Sequence, residues 1–395
     1  MKIYFINCTY GHGGPGDVAK NLFESSLESG NECRFAASRY IECGENHYKI
    51  GTKIDVYFHY LFGRLFDGEG RYSRITTKKL IKDITNFNPD LINIHSLMGH
   101  FINYKLFFKF LKRSSYKIVW TLHDCSSFTG HCINFERINC QKWKFKCDCC
   151  PLKNDYPKAL IDRSAYNFMS KKDLFTNISN MTLITPSVWL KGLVGQSFLS
   201  KYKCLNIYNG VDISSFHPME SNLKVINGFS DKKILLFVAG IWNEMKGLRI
   251  INDLAKIISN EYKIVIIGSV SEELDENIFH INRTNSKIEL AKWYSLAYIF
   301  VNPTLGDNFP TVNIEALACG TPIVTFNTGG SPEIVTEQTG IVCYEKNAEC
   351  LKESIELCDI KICNSIINRE KCIEESKKYS KDIFFKNYKN VFESE

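Results

Sequence analysis

Asp307 and Glu315 are two carboxylates eight residues apart in the stretch Gly306-Asp307-Asn308-Phe309-Pro310-Thr311-Val312-Asn313-Ile314-Glu315. The Asp-Asn-Phe-Pro loop gives way to an apolar helical pattern at about Thr311, so one carboxylate lies in the loop and the other one turn inside a helix. A pair so placed can grip two parts of one ligand, and the free N–H groups of the helix start suit an anionic group. Glu315 alone would be an ordinary glutamate complementing the helix dipole. Lys246 precedes a second helix in Gly240-Ile241-Trp242-Asn243-Glu244-Met245-Lys246-Gly247. An ammonium there adds a point charge to the positive end of the dipole, which fits a diphosphate.

Near the start, Gly11-His12-Gly13-Gly14-Pro15-Gly16 spells GxGxxG between a strand and a helix, the dinucleotide fingerprint. Pro15 has no N–H to offer a pyrophosphate. The second strand, ending near Ser38, lacks the acidic residue that holds a ribose in NAD enzymes. The glycines then serve a phosphate at the helix start, or a plain tight turn. Farther on, Cys132, Cys140, Cys147 and Cys150 cluster with Cys125 and Cys149. Cys147-x2-Cys150 has zinc-knuckle spacing, and Cys132 and Cys140 could complete four thiolates around a structural zinc. A small insertion poor in apolar residues benefits from such a staple. The competing reading is small buried thiols. No catalytic metal is expected.

Strand patterns KIYFINC, ECRFAAS, DLINIHS (90–96), YKIVWTLHD (116–124), MTLITPS (181–187) and CLNIYNG (204–210) must hold these groups in the first half. Helical patterns fall between them at 17–29, 75–87, 103–112, 160–178 and 188–200, with a polar loop over 40–70. A second round has strands at 233–240, 262–269, 299–303, 321–326 and 340–344, and helices at 246–258, 287–297, 311–319 and 331–336. This alternation predicts two α/β, Rossmann-like, doubly wound domains facing a central cleft. The expected boundaries are 1–210 with a Cys-rich insertion at about 125–157, then 211–375, then a terminal helix over 376–395 packing back on the first domain. Open parallel sheets bind ligands beyond the carboxyl ends of their strands, where the loops above lie.

The 395 residues are 44% hydrophobic and 23% charged, an ordinary globular composition that excludes disordered, collagenous and coiled-coil classes. A chain this long buries enough surface to fold without cross-links, so 16 cysteines do not require disulfides. The start shows no signal-peptide pattern, and no apolar run is long enough to span a bilayer. A cytoplasmic protein with reduced thiols is expected. The net charge of +6 is concentrated between Lys105 and Lys172. Such a patch attracts phosphates, nucleic acid or anionic lipid, or is simply a solvated face. Within it, Lys105 to Arg113 interleaves basic and aromatic residues. That pattern fits a buried flanking helix first, and a membrane-surface contact second.

In their order along nearly the whole chain these segments resemble the retaining GT-B glycosyltransferases of family 4. The matching pieces are the early Gly-Gly, Leu122-His123-Asp124, Pro186-Ser187, Asn209-Gly210-Val211-Asp212, Lys246-Gly247 and the Asp307 to Glu315 block, which has the family's E-x7-E spacing. EALACGTPIV and a Gly-Gly before SPEIV continue it. TLHDCSSFTGHC, Lys142-Trp143 and Cys150-Pro151 look most like enzymes of colanic-acid and capsule-type polysaccharide assembly.

The resemblance implies that Glu315 binds the ribose of a nucleotide-sugar donor and Asp307 the hydroxyls of its sugar. Asn308, Phe309 and Thr311 would offer backbone contacts. Lys246 would neutralise the diphosphate, aided by Gly13, Gly14 and Gly16. His123 would stand beside the reacting sugar carbon, a core histidine being the alternative. Catalysis would need no cofactor. The acceptor would be a polyprenyl-diphosphate-linked saccharide at the inner membrane surface, reached by a peripheral enzyme, with no nucleic acid involved. Two positions depart from the family: Asp307 stands where the first glutamate is usual, and Ile241 where many members carry an arginine. Asn243, Arg249 or Arg283 are the candidates to replace that cation. The other classes considered are a non-catalytic nucleotide-sugar or nucleic-acid binder with a zinc knuckle, and an NAD-dependent sugar-nucleotide enzyme.

Overall fold

The computed structural model describes residues 1–284 and 286–394, which divide into two compact units, 1–207 with 385–394, and 208–384. The first unit holds β1 (Lys2–Thr9), β2 (Glu32–Arg39), β3 (His47–Lys49), β4 (Leu91–Ile94), β5 (Lys117–Thr121), β6 (Met181–Thr185) and β7 (Lys203–Asn206). They form one sheet in the order β3-β2-β1-β4-β5-β6-β7, with every neighbouring pair parallel. The central strands are buried on both faces, which is why Tyr4-Phe5-Ile6 and Ile118-Val119-Trp120 read as unbroken apolar runs.

The second unit holds β8 (Lys233–Ile241), β9 (Tyr262–Ser269), β10 (Ile278–Ile281), β11 (Ile299–Asn302), β12 (Ile323–Phe326) and β13 (Gly340–Cys343). Their order is β10-β9-β8-β11-β12-β13, again all parallel. Apolar residues pack on both sheet faces, one layer centred on Leu236, Phe300 and Leu317, the other on Phe237, Leu254 and Leu351. The last helix, Lys381–Glu393, ends in the first unit, where Tyr388 shares a 2.8 Å hydroxyl hydrogen bond with Thr121 and the Phe392 ring stands edge-on to Phe5.

Several segments differ from the sequence expectation, which held no helix at Ala348–Cys363. The polar loop over 40–70 contains β3 and a helix, Lys53–Phe66, capped by Thr52 and Asp55 in a reciprocal box. Aromatic residues all round that helix hide its periodicity, and only His59 and Gly63 on it are fully buried. The short edge strand β10 has four residues and gives too little pattern to notice. The helix expected over 331–336 is one 3₁₀ turn, Ser331–Ile334.

Candidate functional site

In the second unit the loop after β8 and the loop after β11 meet. Asn243 accepts the Lys246 N–H with its side chain at 3.1 Å, and Gly247 ends that turn at φ 83°. A Cβ on Gly247 would lie 2.4 Å from the Pro303 carbonyl oxygen, so the close approach of the two loops requires glycine. Leu305 N–H then donates to the Met245 carbonyl at 2.9 Å. This framework sets Lys246 Nζ 2.8 Å from Asp307 Oδ2, while Asp307 Oδ1 accepts the Phe309 N–H at 3.2 Å.

The helix Thr311–Ala318 opens immediately afterwards, with Pro310 at its cap position and no side chain capping its first N–H groups. Glu315 is half-buried on this helix and accepts a 3.1 Å hydrogen bond from the buried Tyr294 hydroxyl. Phe309 is buried and stacks on Tyr208 at 4.9 Å between ring centres. Gly330 N–H donates to the Asn308 carbonyl at 3.1 Å. Lys246, Asp307, Asn308, Phe309, Thr311 and Glu315 thus belong to one loop cluster at the carboxyl ends of β8 and β11. Ile241 is exposed, as are Arg249 and Arg283. Tyr294 and Tyr208 were not found from sequence, because each supports its partner from a distant segment.

In the first unit Gly13 is the cap residue of the helix Gly14–Glu28, at φ 72°, with Pro15 in the first turn. A Cβ on Gly16 would lie 2.5 Å from Thr9 Oγ1, whereas Gly13 and Gly14 face open space. His123 follows β5 and is linked to His95, at the end of β4, by a 2.9 Å contact between His123 Nε2 and His95 Nδ1. Asn93 Oδ1 lies 2.6 Å from His95 Nε2, and its amide nitrogen donates to the Val119 carbonyl. The amide orientation makes His95 Nε2 the donor to Asn93, so His95 Nδ1 accepts and His123 Nε2 donates. Burial pushes His123 down to about 4, so it is neutral near pH 7. Burial also raises the Asp124 carboxyl, which accepts the Ser126 N–H at 2.7 Å. His123, His95 and Asp124 line a small cavity of about 20 Å³, room for a single water. His95 and Asn93, which hold His123 in place, were not found from sequence. Their signal was two polar residues at i and i+2 in an otherwise apolar strand.

The basic and aromatic stretch forms the helix Tyr104–Leu111, with Tyr104, Phe107, Phe108 and Leu111 buried. Those rings are core, and Lys105 and Lys109 point outward. Among the described residues, no helix is long and apolar enough to cross a membrane. In the Cys-rich insertion, the Cys132 thiol donates to Cys150, holding Cys150 down to about 7 and pushing Cys132 up. Cys147 Sγ accepts the Gly130 N–H at 3.3 Å. No three of the sulfurs of Cys132, Cys140, Cys147 and Cys150 stand within 4.8 Å of one another, so the arrangement is a hydrogen-bonded pair rather than a closed tetrathiolate.

Comparison with known proteins bears on both units. Residues 232–358 match the family described as Glycosyl transferases group 1. A protein of Escherichia coli (strain K12), WcaC, whose name assigns it to colanic acid biosynthesis as a glycosyl transferase, is 23% identical over 371 residues, 88% of each chain. Sucrose-phosphate synthase from Thermosynechococcus elongatus superposes with a TM-score of 0.72 at 14% identity, covering 99% of this chain and 98% of its own. Anabaena Alr3699/HepE, solved with UDP and glucose, gives 0.67 at 14% identity over the whole of both chains. These likenesses show the fold, two parallel-sheet α/β units of the GT-B class.

Proposed function

We propose, from the match of residues 232–358 to the glycosyltransferase group 1 family, that the chain is a retaining glycosyltransferase. It moves a sugar from a nucleoside-diphosphate donor to a lipid-linked saccharide during surface polysaccharide assembly. The observation that carries this reading is the Lys246–Asp307 pair beside the start of the helix that bears Glu315. The name of the Escherichia coli relative supports the polysaccharide context, and the UDP and glucose of the Anabaena protein support the donor class.

In this proposal Glu315 accepts from the ribose hydroxyls, and the lone pairs left on Asp307 accept from sugar hydroxyls. An ammonium has three donors, so Lys246 keeps Asp307 and still offers two N–H groups to phosphate oxygens. The bond from the anomeric carbon to the phosphate oxygen breaks, and charge grows on the diphosphate. Lys246 and the open N–H groups of Thr311–Ala318 stabilise it where it develops. The acceptor hydroxyl attacks on the same face, the departing phosphate oxygen takes its proton, and configuration is retained. Gly13, Gly14 and Gly16 are assigned to phosphate approach and His123 to the reacting sugar, as a neutral hydrogen-bonding group. The lysine-rich first unit suits a peripheral position on the inner membrane face.

A structural zinc at Cys132, Cys140, Cys147 and Cys150 is a separate proposal. Closing a tetrathiolate requires Cys140 and Cys147 to move in on the Cys132–Cys150 pair, and metal content of a Cys150→Ser chain reads it.

The function is tested by incubating the purified chain with UDP-, GDP- and ADP-sugars and a polyprenyl-diphosphate saccharide. Sugar transfer that is lost in both Lys246→Ala and Glu315→Ala supports it. Transfer unchanged in both variants overturns the site, and a nicotinamide absorbance change without transfer overturns the reaction class.

A further inference from the structure

In the helix Lys53–Phe66 only His59 and Gly63 are fully buried and Val56 packs on the core in part, while Ile54, Tyr57, Phe58 and Phe62 stay exposed. Apolar burial therefore does little to hold it, and a polar cluster takes that place. His59 is 1% exposed, and its Nδ1 lies 2.8 Å from Ser73 Oγ. Glu69 Oε1 accepts the Gly99 and His100 backbone N–H groups at 3.2 and 3.0 Å. His100 is 6% exposed and sits in the loop after β4 at φ 62°. Gly63 passes within reach of its ring, since a Cβ there would stand 3.3 Å from His100 Nδ1.

The other ends of these three side chains converge. His59 Nε2, Glu69 Oε2 and His100 Nδ1 lie within 4.8 Å of one another, the one such ligand set among the described residues. All three atoms are buried; Glu69 Oε2 and His100 Nδ1 pair with each other at 2.5 Å, and His59 Nε2 has no hydrogen-bond partner. A proton shared between Glu69 and His100 would satisfy two of them and leave His59 Nε2 bare. One cation satisfies all three.

We propose that His59, Glu69 and His100 form a binding site for a divalent transition metal, zinc by its donor set, that staples the helix Lys53–Phe66 to the loop after β4. Two imidazoles and one carboxylate suit zinc and its neighbours, and are a poor match for calcium or magnesium. Bonds of about 2.0–2.1 Å place neighbouring ligand atoms roughly 3.3 Å apart, so the set needs only small movements to close. Two of the three ligands are already aimed from behind, His59 by Ser73 and Glu69 by two backbone amides, as metal ligands commonly are. A cavity of about 280 Å³ lies beside Glu69 and His100, lined also by Tyr60, Arg64, Tyr156 and Lys158, and supplies water or an anionic oxygen as a further ligand.

The full chain, stripped with a chelator, is titrated with Co²⁺ and with Zn²⁺. The site predicts one cobalt per chain whose absorption lacks a thiolate charge-transfer band, and a rise in Tm with Zn²⁺. Both persist in Cys150→Ser and are lost in His59→Gln and in Glu69→Gln, the second of which keeps an oxygen for the Gly99 and His100 amides. Cobalt absorption of purely thiolate type, or Zn²⁺ stabilisation unchanged in Glu69→Gln, overturns the proposal, as does no uptake by wild type. If His59→Gln does not fold, the wild-type cobalt spectrum and Glu69→Gln decide. Glycosyl transfer is not the readout, so failure here leaves the reaction class standing.

Discussion

Lys246 Nζ meets Asp307 Oδ2 at 2.8 Å across two loops that are 61 residues apart in sequence. The pair is partly open to solvent, with 36% of the lysine and 23% of the aspartate side chain accessible. An ion pair this exposed adds little to stability. Its geometric consequence is larger, because it aims an ammonium and a carboxylate at the same space beside an uncapped helix start.

Removing the ammonium is therefore expected to affect turnover far more than folding. Lys246→Ala should lower kcat roughly 100- to 1,000-fold, the usual effect of losing one preorganised electrostatic group, with Tm nearly unchanged. Asp307→Asn keeps the Phe309 N–H contact and should mainly raise KM for the donor. Initial rates against donor concentration, with a melt of each variant, check both.

The Asp307 loop is also fixed from behind by Gly329, at φ 52°, where a Cβ would fall 1.7 Å from the Asp307 carbonyl oxygen. Gly329→Ala should cost about 3 kcal/mol, combining an unfavourable backbone conformation with overpacking. Gly228 has φ 72° but open space around it, so Gly228→Ala should cost only about 1 kcal/mol. Urea denaturation of the two variants compares them, and equal losses would remove the argument for a close approach.

The sheets were legible because parallel strands buried on both faces are continuous apolar runs, as in Ile264 to Ile267. The donor loops were legible because their chemistry is local: Asp307 and Glu315 share one short stretch. His95 and Glu69 were not, since each works with a partner 28 or 31 residues away that no spacing rule connects. The helix Lys53–Phe66 was hidden for another reason. Its exposed aromatics erase the contrast between faces on which periodicity depends.

The histidine pair gives the first unit a definite acid response. His123 is held neutral down to about 4, against about 6.5 in an unfolded chain. The unfolded state thus binds a proton that the folded state refuses, so this contribution is full above about pH 6.5 and is lost as the pH falls to about 4. Its size is about 3 kcal/mol. His123→Gln retains a donor toward His95 and should show a shallower fall in stability across that window, measured by denaturant melts at a series of pH values.

Asp359 makes the opposite case in the second unit. Its carboxylate accepts from Lys233 at 2.5 Å, from the Tyr262 hydroxyl at 2.7 Å and from the Tyr298 hydroxyl. Burial alone would raise the carboxyl, but these donors outweigh it and hold it down to about 2. A depressed carboxyl contributes stability that is present above its unfolded value of about 3.9 and lost as the pH falls through about 2. The difference corresponds to about 2 kcal/mol. Asp359→Asn should therefore be less stable than wild type by about that amount at pH 7, with the gap narrowing between about pH 4 and pH 2. The residue lies on the helix Ala348–Cys363 and is no part of the proposed donor site, so the variant should bind UDP-sugars as wild type does. A pH-independent gap would mean that lost packing, and not the charge, sets the cost.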